Sequence, residues 1–304
     1  MSQSVGSRDG GPFHAGELAV QARAGVADEA ERVGRIIGDA LPSAFHPFLA
    51  EQRMAIAASV DDADRVWASL LTGSPGFLRA LDEELVLIEG GVAPQDPLLR
   101  NLAAKPALGL LAIDLARRRR LRVNGRGVRD GARVFLSVEQ AYGNCQKYIQ
   151  PRLVEPVGEG TASSRPSTFL DARQREWIAG AECFFIASRH GEWGADASHR
   201  GGPAGFVTVT GPGALSFPDY PGNNMFNTLG NIEAQPEVGL LFLDFEKGGM
   251  LQLTGRASLE WKPGVPGAGP GEHRAVVSFE LDQALETSGW GVIDRTIARR
   301  GARA

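Results

Sequence analysis

The strongest constraint on the fold of this chain is that it repeats itself. Residues 101–126 align with residues 231–256 without a gap, and ten of the 26 positions are identical. The first segment opens Asn101-Leu102-Ala103-Ala104-Lys105-Pro106 and closes Gly125-Arg126. The second opens Asn231-Ile232-Glu233-Ala234-Gln235-Pro236 and closes Gly255-Arg256. Upstream, Ala58-Ser59, Ala68-Ser69, Gly73 and Gly76-Phe77 match Ala187-Ser188, Ala197-Ser198, Gly202 and Gly205-Phe206 in the same order. Each copy spans about 80 residues, too long for a solenoid unit and suited to a small domain. A chain of 304 residues has room for about two such domains.

Both copies show the same pattern of elements. An apolar strand comes first (Met54–Val60; Cys183–Ser188), and a Gly-rich turn leads to a second (Gly76–Leu81; Gly205–Thr210). A third follows (Leu85–Ile88; Ala214–Phe217), then a short helix that must end before Pro106 or Pro236, because the residue before proline disfavours the α region. Two more strands close each copy (Ala107–Leu115 and Leu121–Gly125; Glu237–Phe245 and Leu251–Ser258). Short strands with glycine turns and one short helix predict small barrels, a mainly β fold with some α. The 39 glycines fit that turn density. The expected layout is an N-terminal extension (1–44), a first barrel (45–154), a second barrel (169–282) and a C-terminal tail (283–304). Apolar positions at helical spacing predict a helix over 28–41 with Asp28 as N-cap. Residues 155–168 read as a linker and 263–271 as an exposed loop.

The net charge of −4 points away from nucleic acid. Two cysteines, Cys145 and Cys183, are too few for a disulfide framework. Met1–Gly11 has no apolar core of a signal peptide, and the longest apolar run, Pro106–Ile113, falls short of the roughly 20 residues that span a bilayer. A cytoplasmic protein without a membrane partner is expected.

The copies differ where chemistry could sit. Copy one has Leu70-Leu71 where copy two has His199-Arg200. Copy one has Ile88-Glu89-Gly90-Gly91 where copy two has Pro218-Asp219-Tyr220-Pro221-Gly222-Asn223-Asn224, leading into the helix before Pro236. Gly and Asn tolerate positive φ, such turns aim N–H groups at anions, and a helix start adds partial positive charge. With Arg200 alongside, this is a candidate phosphate cradle; a surface turn with an exposed arginine is equally open. The five histidines, His14, His46, His190, His199 and His273, lack metal-ligand spacing. No Gly-x-Gly-x-x-Gly follows a strand and no Gly-x-Ser-x-Gly elbow occurs.

Three segments of copy two, residues 195–206 (Ala-Asp-Ala-Ser-His-Arg-Gly-Gly-Pro-Ala-Gly-Phe), 217–224 (Phe-Pro-Asp-Tyr-Pro-Gly-Asn-Asn) and 227–232 (Asn-Thr-Leu-Gly-Asn-Ile), carry a resemblance. So does Gln-Ala-Tyr-Gly-Asn-Cys-Gln-Lys-Tyr-Ile-Gln at 140–150. Over roughly residues 45–260 the chain resembles the pyridoxamine 5′-phosphate oxidase-like FMN-binding split β-barrels, in a two-copy branch. The resemblance implies two tandem split barrels packed as an intrachain pseudo-dimer, with flavin between them. It implies a phosphate site in copy two made by Ser198, His199, Arg200, Gly201, Gly202, Asp219, Tyr220, Gly222, Asn223, Asn224, Asn227 and Thr228, copy one being degenerate. Asn223 and Asn224 stand near the family's usual Ser and basic residues, which leaves Arg200 as the expected positive partner. From copy one, Arg119 or Arg120 is expected to approach the flavin, a solvated hairpin being the alternative, and Asn144, Lys147 and Tyr148 to line the cleft. Cys145 reads as a packed thiol. The implied function is an FMN-dependent oxidoreductase taking a small-molecule substrate or an electron donor such as NADH or NADPH. A flavin carrier or sensor and a haem-binding relative are the alternatives, and a homodimer is compatible.

Overall fold

The computed structural model describes residues 11–158, 162–261 and 275–296; the 263–271 stretch lies outside them. Helices α1 (Ala15–Arg23), α2 (Ala27–Gly34) and α3 (His46–Ala50) come first. The first repeat then gives β1 (Met54–Val60), β2 (Val66–Thr72), β3 (Leu78–Ala80), β4 (Leu85–Ile88), α4 (Leu98–Ala104), β5 (Ala107–Asp114), β6 (Arg119–Asp130) and β7 (Arg133–Gly143). Strands β8 (Val154–Val157) and β9 (Ser163–Ser167) and helix α5 (Ala172–Gly180) connect to the second repeat. It gives β10 (Cys183–His190), β11 (Gly194–Gly201), β12 (Thr208–Gly211), β13 (Ala214–Asp219), α6 (Asn227–Ala234), β14 (Glu237–Asp244), β15 (Gly249–Trp261), β16 (Ala275–Ser288) and a final β17 (Gly291–Asp294). The fold is mainly β with some helix.

Each repeat builds one antiparallel sheet, and the two strand orders correspond strand for strand: β2-β1-β5-β6-β7-β4-β3 and β11-β10-β14-β15-β16-β13-β12. The gapless alignment reappears as register. Ala107 pairs with Arg126 and Asp114 with Arg119; Glu237 pairs with Arg256 and Asp244 with Gly249. Both long hairpins carry a bulge at the same aligned place, Asn124/Gly125 and Thr254/Gly255. Helices α4 and α6 end on Lys105 (φ −137°, ψ 123°) and Gln235 (φ −145°, ψ 113°), the extended conformation that Pro106 and Pro236 impose on their predecessors.

Each sheet has its own apolar core, around Leu78, Leu110 and Leu136 in the first and Phe184, Phe217 and Phe242 in the second. A third core joins them, with Ile56, Ala68 and Leu111 meeting Phe185, Ala197 and Leu241. The contact is reciprocal. A Cβ on Gly109 of β5 would come within 2.6 Å of the Ala195 carbonyl oxygen on β11, and one on Gly239 of β14 within 2.6 Å of the Val66 carbonyl oxygen on β2. Only glycine lets these backbones approach so closely.

The strands expected at 76–81 and 205–210 are β3 and β12, third rather than second in each copy, because β2 and β11 come before them, and β7 and β16 are additional. Three further local expectations change. The 28–41 helix stops at Gly34, and its N-cap is Val26, with Asp28 in the first turn. A Cβ on Gly34 would run into the Phe13 ring, and Gly38 instead bridges Ala141. An unexpected helix, α1, precedes it, held by a capping box in which His14 and Glu17 bond each other's backbone N–H. The 155–168 stretch is partly strand, β8 pairing with β17 and β9 with β16. Such edge positions tolerate Pro156 and Pro166. No helix among the described residues is long and apolar enough to cross a membrane.

Candidate functional site

One cleft lies where the two sheets meet, with about 810 Å³ of free space counted to its open mouth. Copy two supplies one wall. Strand β11, at the edge of its sheet, contributes Ser198, His199, Arg200 and Gly201. The turn from β13 to α6 contributes Asp219, Tyr220, Gly222, Asn223 and Asn224, and the first turn of α6 contributes Asn227 and Thr228. Copy one supplies the other wall, with Arg120 and Arg122 from β6 and Asn144, Lys147 and Tyr148 from the segment after β7.

The turn into α6 is held in an uncommon shape. Asn224 (φ 62°) and Phe226 (φ 60°) both take the left-handed conformation, which is costly for a bulky residue. Met225 between them is fully buried, its N–H donating to Asn223 Oδ1 at 3.2 Å. No side chain caps α6, so its first turn presents positive partial charge to the cleft. Across the mouth, the Tyr148 and Tyr220 rings stack at 5.4 Å, and the Tyr148 hydroxyl donates to the Pro221 carbonyl at 3.0 Å.

The cleft is rich in buried positive charge. Arg122 donates to the Tyr142 hydroxyl and to Asn227 Oδ1, both at 2.9 Å, and also to Ser198 Oγ. It pairs with Asp196 at 3.3 Å. Burial opposes its charge, and the Asp196 carboxylate and the Tyr142 hydroxyl outweigh that and hold its pKa up. Arg120 is supported only weakly, by Cys145. Burial, then repulsion from Arg122 and Arg200, pushes its pKa down to about 9. Burial lowers Arg200 as well, with Asp219 partly restoring it. His199 is pushed well below its ordinary value by burial, then by Arg120 and Arg200. Its Nδ1 lies 3.4 Å from Arg120 Nη1, which places the imidazole proton on Nε2 by inference from the hydrogen bond. The Nε atoms of Arg120, Arg122 and Arg200 and Nε2 of His199 are buried without a hydrogen-bond partner. Buried donors are ordinarily satisfied, so these orphaned cationic and N–H groups give the cleft the chemistry to accept an anion.

Two expected residues stand apart. Arg119 is exposed on the hairpin, its guanidinium 5.0 Å from the Phe48 ring centroid, because neighbours on a strand point to opposite faces. Gly202 serves packing: a Cβ there would meet the Phe206 ring at 2.6 Å, as one on Gly73 would meet the Phe77 ring in copy one. Arg122 was missed by the sequence reading. The signal was available, since Arg122 lies two residues beyond Arg120 and so shares its face of the strand. Cys145 and Cys183 are free thiols; burial pushes the Cys183 thiol up to about 11. Among the described residues no cluster could hold a metal ion.

Copy one lacks this arrangement. Gln252 stands at the position of Arg122, donating to the Ala68 carbonyl and to Asp96 Oδ2, both at 2.9 Å. Val292 is fully buried against β2, and Trp290 packs beside it and against Gly91. The strand pair β8–β17 thus fills the counterpart of the cleft.

No protein-family model and no curated protein sequence matches the chain. Solved structures with local likeness include HutZ, the heme storage protein from Vibrio cholerae, at 13% identity, TM-score 0.29, covering 40% of this chain and 96% of that one. The FAD binding protein from Mycobacterium smegmatis is similar at 12% identity, TM-score 0.28, covering 41% and 100%. A Clostridium acetobutylicum protein related to general stress protein 26 of B. subtilis (pyridoxinephosphate oxidase family) is similar at 10% identity, TM-score 0.28, covering 41% and 94%.

Proposed function

We propose that the chain is an FMN-binding protein made of two tandem split barrels packed as an intrachain pseudo-dimer, working as an oxidoreductase on a small-molecule substrate. The observation that carries this reading is the convergence of Arg120, Arg122, Arg200 and His199, with orphaned donors, on the start of α6. That donor set suits a phosphate: guanidinium groups offer charge-assisted bonds, and the helix start adds its dipole. Arg200 and the 219–228 turn hold the phosphate from copy two, Arg120 reaches it from copy one, and Tyr148 and Tyr220 cover the mouth. FMN supplies the electron-transfer chemistry when bound; the protein supplies binding, orientation and electrostatics. His199, kept neutral, donates from Nε2 without adding charge that Arg120 and Arg200 would repel. NADH or NADPH is the proposed electron donor.

The absorption spectrum of the purified protein tests the reading. Flavin bands that NADH or NADPH bleaches are expected. Flavin bands that neither reductant bleaches would make the protein a carrier or sensor, and a Soret band would replace flavin with haem.

A further inference from the structure

Helix α1 reaches the cleft's back wall through Asn227 and Met225. Glu17 on α1 is almost fully buried, and its Oε1 accepts from Asn227 Nδ2 at 2.6 Å. The opposite end of the same Asn227 amide, Oδ1, accepts from Arg122. Glu17 Oε2 accepts the His14 backbone N–H at 2.8 Å. Gln21, one turn on, donates to the Met225 carbonyl at 3.0 Å and so pins the turn that carries Asn224 and Phe226. The helices touch at Gly16 and Gly230, where a Cβ on either would overlap the other helix. Removing α1 would therefore strip hydrogen bonds from Asn227 and Met225, both at the anion end of the cleft.

The charges around Glu17 do not balance. His14, the N-cap of α1, faces it with Nδ1 accepting the Gly16 N–H and Nε2 2.9 Å from Asn231 Oδ1, and His190 of β10 stacks on its ring at 4.2 Å. Arg122 faces it from β6, Tyr142 from β7, Asp196 from β11, and the neutral Asn227 and Asn231 from α6. Two carboxylates, Glu17 and Asp196, thus share the one guanidinium of Arg122, and Asp196 already pairs with it. Burial above all, with Asp196 adding, pushes the Glu17 carboxyl up to about 7, against the hydrogen bonds from His14 and Asn227. A small change in local charge then moves a proton on or off this group.

We propose that α1 belongs to the anion site, with Glu17 a positioning residue for Asn227, and that an anion bound in the cleft is coupled through Arg122 and Asn227 to uptake of a proton by Glu17. The anion draws on the positive charge of Arg122 and adds its own negative charge nearby. The carboxylate of Glu17 is then disfavoured, takes a proton from solvent and becomes a neutral acid. One added charge at several ångströms in a protein interior is worth about one pKa unit. This coupling rests on the reading of the cleft as an FMN phosphate site.

Calorimetric titration of the full chain with FMN, near pH 7.5 in buffers of different ionisation enthalpy, reads proton uptake directly. A fraction of a proton per FMN is expected in the wild type. Affinity should be about three- to tenfold tighter at pH 6.5 than at pH 8.5 beyond the dependence shown by Glu17→Gln, which carries the ligand's own titration equally. Infrared difference spectra with ¹³C-labelled glutamate should show a protonated carboxyl appearing on binding, which requires no variant to fold. FMN binding with no proton uptake, an unchanged pH profile in Glu17→Gln, or no glutamate carboxyl signal overturns the coupling alone. FMN that binds at no pH overturns the reading of the cleft instead.

Discussion

Arginines decide the site at the scale of single residues. Arg122 is paired with Asp196, which fixes its place and supports its charge, whereas Arg120 and Arg200 carry charge that burial and mutual repulsion work against. An anion relieves that repulsion. A charge-assisted bond to phosphate is worth about 1.5–3 kcal/mol, so Arg200→Ala should weaken FMN binding about ten- to a hundredfold while the fold survives. Arg200→Lys should recover only part, because an ammonium lacks the planar fork. Fluorescence quenching across the three proteins checks this, and equal affinities would move the phosphate elsewhere. Asp96 makes a second residue-scale case, in the filled counterpart of the cleft. Burial pushes its carboxyl up to about 6, against hydrogen bonds from the Leu98 N–H, Ser69 and Gln252. The folded state therefore binds this proton more tightly than the unfolded chain does. The contribution of Asp96 to stability falls as pH rises from about 4 to about 6 and stays reduced above, by about 2–3 kcal/mol. Asp96→Asn should remove that slope, so the stability difference between variant and wild type shifts toward the variant between pH 4 and 7. Urea unfolding at both pH values measures it; a constant difference would show that Asp96 does not titrate there.

Elements explain which parts of the structure were legible. Strand pairing around 107–126 and 237–256 follows from the repeat, because aligned apolar and glycine positions must share faces and bulges. Strand β11, which carries the site, was hidden. Its sequence, Gly-Ala-Asp-Ala-Ser-His-Arg-Gly, has no β-branched residue, and Asp196, Ser198 and His199 are buried polar groups, so no apolar alternation marks it. Helix α1 was hidden for the same reason: its buried face includes Glu17 and Gln21, satisfied by Asn227 and Met225 across the chain. Strand β17 with Trp290 makes the element-scale prediction. Trp290 packs against Gly91 and Gly158, beside the core between the sheets. Trp290→Ala should lower stability by about 3 kcal/mol, near the low end for losing a large aromatic side chain. It should not create a second FMN site, since Gln252 and Leu70-Leu71 supply no cation there. Denaturant unfolding paired with FMN titration reads both, and a second tight site in the variant would show that the plug alone had closed it.

For the whole molecule, the two repeats provide two walls, and the side chains that meet between them differ at the two equivalent places. The reciprocal contacts of Gly109 and Gly239 set the sheets against each other so that β6 of copy one faces β11 and the α6 turn of copy two. The symmetric counterpart brings β15 against β2, where Gln252 Nε2 donates to Asp96 and lies 3.5 Å from Ser69 Oγ, and Trp290 and Val292 take up the space. The copies thus share a fold and differ in the side chains that meet between them, a difference the aligned sequences showed at Arg200 and left unread at Arg122. Titrating the cofactor-free protein with FMN tests this division of labour most directly. One tight FMN per 304-residue chain is expected, abolished or strongly weakened by Arg200→Ala. Two equivalent tight sites per chain, or one site indifferent to Arg200, would contradict it.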